Sequence, residues 1–244
     1  MVMENPVIPI EWGLDKPGMQ AKELASPVTA RQAEVIWRKA AMDSVKYAEE
    51  LIKLGIHKQI ANRLLETFVE VTGLVTSVDE GLQNFFSLRA EDAADPHIQE
   101  LAYIMLEVYN ASTPQVLQRG EWHIPFGDKM PPEVTDPKEK MKIAVARAAR
   151  VSYNSFDGAD TPTKDFKLHD RLSDQGHWSA FEHIAQVPLE KGGRWDLGEG
   201  ISALDKSQAE LLHEKNYSGN LPGWNQLRKI YANEFRKDTR VVAK

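Results

Sequence analysis

Apolar residues recur at helical spacing along most of this chain, and only a few short stretches alternate as strands do. That constrains the fold first, because a helix period and a strand period bury different residues of the same sequence. From Thr29 onward, Ala33, Ile36, Trp37, Ala40, Val45, Ala48 and Leu51 follow the helix period. Thr29 and Gln32 fit a capping box at its start, and Gly55 fits a left-handed cap at its end. A second helix is expected from about Lys58 to Phe68, with Ile60, Ala61, Leu64, Leu65 and Phe68 on one side. VTGLVTS (71–77) interrupts the pattern. Ser77 and Glu80 open a short helix through Gln83 to Leu88, and Asp95-Pro96 reads as N-cap and first residue of a long apolar one ending before Thr113-Pro114.

The second half is expected to be more mixed. EWHIPF (121–126) is a short strand candidate, and the segment 127–137 is a loop by its Pro, Gly and Asp content. Lys138 to Arg150 is helical by period, as is Lys164 to Gln175, closed by Gly176. FEHIAQVPLE (181–190) alternates Phe181, His183, Ala185 and Val187 as a strand with one buried face would. Trp224, Leu227, Ile230 and Tyr231 return to helical spacing. The expectation is a helix-rich α+β fold with a small, mainly antiparallel sheet. Its domain organisation would be an extended arm over residues 1–28 and a single domain over 29–244.

Composition enters where chemistry is to be excluded. The chain of 244 residues has no cysteine, so disulfides, thiolate zinc sites, iron–sulfur clusters and thiol nucleophiles are out. Its formal net charge of −6 gives no general attraction to nucleic acid or to an anionic membrane. No apolar run approaches the ~18 residues of a membrane span. The start, MVMENPVIPIEWG, lacks the charged flank and apolar stretch of a signal peptide. A cytoplasmic protein is the expectation. GxSxG, GxxxxGK[ST] and GxGxxG are all absent, which leaves serine hydrolase, P-loop and Rossmann readings without support.

Four segments could carry chemistry. In HKQIANRLLE (57–66), Arg63 could aim its planar fork at a phosphate or carboxylate, or make a surface ion pair. In LQNFFSLRAEDAADPHIQELA (82–102), Asn84 and Arg89 flank an apolar FFSL. They would lie about 140° apart on a helix, able to serve neighbouring ligands or simply solvated. In ARAARVSYNS (146–155), Ser152 could meet a phosphate or ribose, or form a turn. In GHWSAFEHIAQ (176–186), His177 and His183 are six apart with no third ligand evident, so no metal is expected.

Together, and in this order, these segments resemble blocks of the flavin-dependent thymidylate synthases, more closely the long, permuted form found in bacteriophages and some bacteria. VIPIEWGLDKPGMQ, EWHIPF and PGWNQLRKI resemble that form too, so the likeness runs from about Pro6 to Glu234. It implies reductive methylation of dUMP to dTMP with FAD, NADPH and methylenetetrahydrofolate, without an enzyme cysteine. It implies that Arg89 contacts the uracil ring as a catalytic residue, that Arg63 also holds dUMP, and that the two converge on one nucleotide. It further implies that Asn84 faces the flavin, Ser152 contacts FAD, and His177 lies near the isoalloxazine and the folate pocket. A homotetramer with shared active sites is implied as well.

The sequence departs from that family in one large respect. The THRxxSRNxxSSRA block of the long form is missing and the chain begins just after where it would end; the readings are a fragment of a split or interrupted gene, with a separate N-terminal chain as partner, a misplaced start, or a degenerate site. Smaller departures are Leu82 in place of tryptophan, ADPHI in place of AQxEI, and SAFEH in place of SPFEH. The alternatives are a non-catalytic nucleotide-binding or assembly subunit, and a related one-carbon transferase acting on a pyrimidine nucleotide.

Overall fold

A computed structural model of the chain describes residues 2–17, 23–151, 161–188, 219–231 and 234. Its contacts divide the chain into two compact units, residues 1–71 with 80–112, and residues 72–79 with 113–244. Among the described residues, no helix is long and apolar enough to cross a membrane.

The first unit is built on α1 (Pro27–Lys53). Its N-cap is Ser26, not Thr29: the Ser26 hydroxyl accepts from the Thr29 amide at 3.2 Å. Pro27, with its φ preset and no amide to satisfy, takes the first helical position. At the other end Gly55 has φ +82 and its amide donates to Ile52, while the Ile56 amide donates to Leu51. This is the two-bond Schellman ending that a left-handed glycine allows. The helix expected over 58–68 is only one α-turn, α2 (Lys58–Ala61), and then tightens into a 3-10 helix, Asn62–Phe68. Trp37, Ala41 and Val45 of α1 pack on Leu65 and Phe68 of that turn and on Val2.

The N-terminal segment is tied to this core. The Val7 amide donates to Phe68 O at 3.0 Å, and the Trp37 indole donates to Val7 O at 2.9 Å. α3 (Asp79–Arg89) and α4 (Pro96–Ala111) follow. Asp95 caps α4 as expected, accepting from the His97 amide at 3.0 Å. The two helices meet through Phe86 and Tyr109, ring centroids 5.4 Å apart, and through Gln83 donating to the Tyr109 hydroxyl at 3.1 Å.

In the second unit α5 (Pro137–Ala149) packs against α6 (Pro162–Gln175). Ile143, Ala144, Val145 and Ala146 of α5 are fully buried. The small antiparallel sheet is β1 (Trp122–His123), β2 (Ala185–Gln186) and β3 (Asn225–Gln226), in that order. Trp122 pairs with Gln186 and Ala185 with Gln226. The sheet and the helices confirm the α+β class.

The long strand expected over 181–190 is not formed. Ser179–His183 is a 3-10 turn and only Ala185–Gln186 is strand, with 189–190 outside the described residues. Phe181 is fully buried within the 3-10 turn, and the chain becomes extended only from Ile184, so that Ala185 and Gln186, both buried, pair with β1 and β3. Over the described residues 224–231 the helical spacing does not become an α-helix either. Asn225–Gln226 is strand, and Leu227–Ile230 is a 3-10 turn whose Leu227 amide donates to Ile184 O at 2.8 Å.

Candidate functional site

Arg63 lies in the 3-10 turn after α2, and the tight winding decides its company. At three residues per turn, side chains at i and i+3 eclipse. Arg63, Glu66 and Val69 therefore form one row, and all three line a hollow of about 730 Å³ in the first unit. Asn62 and Leu65, one step round the turn, line it as well, with Val2, Met3 and Val45 contributing apolar wall. Among the described residues Arg63 makes no hydrogen bond or ion pair, although Glu66 and Glu70 line the same hollow. Its guanidinium is thus held beside carboxylates without being consumed by them. A planar cation in that state can take an anionic oxygen bidentately. The volume falls within the range of small-molecule sites.

Asn84 and Arg89 both stand on α3, which ends at Arg89. Both are exposed. Arg89 Nη1 donates to the adjacent Leu88 O at 3.2 Å, and the Asn84 carbonyl accepts from the Ser87 hydroxyl at 2.9 Å. Neither lines the hollow at Arg63, so the expected meeting of Arg63 and Arg89 is not made in that hollow of one chain. His177 belongs to the second unit. Gly176, with φ +71, ends α6 in a second Schellman motif, and the His177 amide donates to Leu172 O at 2.9 Å. The turn leaves the His177 side chain exposed while the next residue, Trp178, is buried. Ser152 lies outside the described residues.

Among the described residues Arg63 is the one cation lining the hollow, against the carboxylates of Glu4, Glu66 and Glu70, so an anionic group would have to reach its guanidinium directly. Of the residues that the resemblance assigns to the flavin, Asn84 and His177 are exposed and Ser152 lies outside the described residues.

Several polar groups escape a reading of the sequence. Asp165, on α6, is 1% exposed and binds Arg150, with Arg147 Nε 3.8 Å from its other oxygen. Arg147 also donates to Lys129 O at 2.9 Å. His183 Nδ1 is 3.1 Å from the Thr76 hydroxyl. Burial holds His123 and His183 below the ordinary histidine range, and the charge of His123 pushes His183 the same way. His169, 5% exposed, touches Asp170 and Tyr231. His183 stands in a segment the sequence singles out; Asp165 and His169 carry no such signal, because one aspartate or histidine on an amphipathic helix has the sequence pattern of a solvated face. Among the described residues, no three His, Cys, Asp or Glu side chains gather as a metal site.

No family model matches the chain, and no solved structure matches it. A stretch of 71 residues is 37% identical to a flavin-dependent thymidylate synthase of Pyrococcus abyssi (strain GE5 / Orsay). That stretch is 29% of this chain and 29% of the relative, so the likeness spans under a third of either protein. Over that part, the chain is similar to a thymidylate-synthesising enzyme.

Proposed function

We propose that this chain binds dUMP and serves a flavin-dependent thymidylate synthase, which methylates dUMP reductively to dTMP with methylenetetrahydrofolate, FAD and NADPH. The observation that carries this reading is Arg63, a guanidinium without a partner among the described residues, in a hollow of nucleotide size. The partial likeness to the Pyrococcus abyssi enzyme supports it.

Bound flavin supplies the redox chemistry of such a reaction; this chain's residues bind and orient. Arg63 takes the nucleotide's anionic end. Arg89, at the C-terminal end of α3, offers a guanidinium to the uracil carbonyls, where positive charge favours the ionised ring. Asn84, Ser152 and His177 are assigned to the flavin by motif alone. Exposure of Arg89, Asn84 and His177 in one chain supports a site completed by other copies of the chain, in a homotetramer, and by a separate N-terminal segment of THRxxSRN type.

The test is dUMP binding by calorimetry on the full chain. A hydrogen-bonded ion contributes about 1.5–3 kcal/mol, so Arg63→Ala should weaken binding roughly tenfold to a hundredfold. Thermal stability should be unchanged, since the side chain is exposed. Unaltered dUMP affinity in Arg63→Ala, or no affinity in the parent chain, would count against the proposal. A parent that binds dUMP but never acquires flavin absorbance with added FAD and a supplied N-terminal segment would favour the non-catalytic nucleotide-binding subunit.

A further inference from the structure

The second unit holds a chain of polar groups that the proposed reaction does not use, running from the exposed Lys142 and Asp170 inward to the buried His169. Lys142 Nζ on α5 donates to Asp170 Oδ1 at 3.0 Å. The same oxygen lies 2.8 Å from His169 Nδ1, and His169 Nε2 lies 3.1 Å from the Tyr231 hydroxyl. The protons can be placed by elimination. The Asp170 carboxyl is held below its usual range, first by the His169 hydrogen bond and also by Lys142, so it only accepts. Nδ1 must then carry a hydrogen. In a neutral ring Nε2 is the acceptor, and the Tyr231 O–H donates to it.

The surroundings keep the ring neutral. His169 packs on Phe181 with centroids 5.2 Å apart, and Tyr231 packs on Trp178 and Phe181, each at 5.2 Å. The charged and titratable groups facing the ring are Lys142 from α5, Asp170 and Asp174 from α6, and Tyr231 from the C-terminal turn. Burial is the largest influence and lowers the His169 pKa; Lys142 acts in the same direction, and the two aspartates oppose it. Burial pushes the Tyr231 phenol up to about 12, so it remains a donor.

We propose that His169 is an acid-sensitive latch and positioning residue. Held as the Nδ1–H tautomer between Asp170 and Tyr231, it fastens residues 227–231 beneath the turn that carries Trp178 and His177. A second proton on the ring converts Nε2 from acceptor to donor. The Tyr231 hydroxyl must then accept from Nε2 instead of donating to it, and its own O–H is left without a second acceptor among the described residues. The latch stands independently of the reaction proposed above.

The sign follows from the lowered pKa. The unfolded chain takes up this proton near pH 6.5, before the folded chain does. The latch's contribution is therefore complete above that pH, declines as pH falls below it, and levels off beneath the folded value.

The experiment uses the full chain without nucleotide or flavin, so it cannot fail merely because the proposed function does. Urea midpoints by tryptophan fluorescence at about pH 7.5 and about pH 5.5, either side of the histidine range, are compared for the parent, His169→Gln and Tyr231→Phe. The parent should lose more of its midpoint on acidification than either variant, the residual loss being due to other groups such as His123 and His183. Ring nitrogen resonances of the parent at the higher pH should show Nε2 unprotonated. Equal acid losses in parent and variants, or an Nε2–H tautomer, would overturn the latch. If His169→Gln does not fold, Tyr231→Phe and the tautomer measurement still decide it.

Discussion

Asp165 shows how a single side chain can determine local structure without contributing any sequence signal. Its carboxylate is sealed at 1% exposure, bonded to Arg150 and close to Arg147. Ionic groups of this kind persist only when their charges are matched, since removing one partner leaves the others buried and uncompensated. Asp165→Ala should therefore cost about 3–5 kcal/mol, read as a fall in the denaturant midpoint with an unchanged slope. A change within about 0.5 kcal/mol, as for an ordinary surface position, would show that the pair is not buried in solution. Arg63 is the contrasting case. It is exposed, the sequence singles it out, and its removal should alter binding without altering stability. The residues proposed for binding were singled out because they sit in recognisable segments. The buried ion pair and His169 were not, because burial is fixed by the packing of α5 on α6 and not by local pattern.

At the scale of elements, the turn chemistry was easier to read than the elements it bounds. Gly55, Gly176 and Asp95 each do what their residue type allows: left-handed caps for the glycines, an accepting carboxylate for the aspartate. These effects are local, so one residue suffices to announce them. The 3-10 segments were misread as helix at 62–68 and as strand at 181–183, because a spacing of three lies between the two periods a sequence can display. The tighter winding brings Arg63 and Glu66 more nearly into register along the hollow than an α-helix would. Gly55 permits a clean test of the cap. It has φ +82, and a Cβ built there meets nothing within 4 Å. Gly55→Ala thus introduces backbone strain with no steric clash, at a cost of about 1–2 kcal/mol. A thermal shift of a few degrees is expected, and Gly55→Asn, which tolerates the left-handed region, should recover part of it. An alanine variant as stable as the parent would mean that α1 ends differently in solution.

For the molecule as a whole, the first unit exposes more apolar surface than a solitary protein keeps in contiguous rows. On α4, Leu101, Ile104 and Val108 recur at i, i+3 and i+7 and are 49%, 51% and 64% exposed. The opposite side of that helix is already engaged, through Ala102 and the Tyr109 contact with α3. α1 repeats the arrangement: Val28, Val35 and Met42, spaced by seven, are exposed while Ala41 and Ala48 are buried. A second apolar row on a helix whose first row is already packed is what helix-to-helix association between copies would use, and it agrees with the assembly proposed for the site. Sedimentation of the full chain should then give a mass above that of one 27.5 kDa chain. Ile104→Glu and Val35→Glu should each shift it toward the monomer, because a carboxylate at an interface centre must be desolvated without a partner. Ile104 and Val35 are themselves 51% and 68% exposed, so the helical signal in circular dichroism should be preserved. If dUMP affinity falls along with the oligomer, the copies complete one another's nucleotide sites. If the chain is a monomer throughout and still binds dUMP as tightly as its variants, the rows on α1 and α4 have no part in the function.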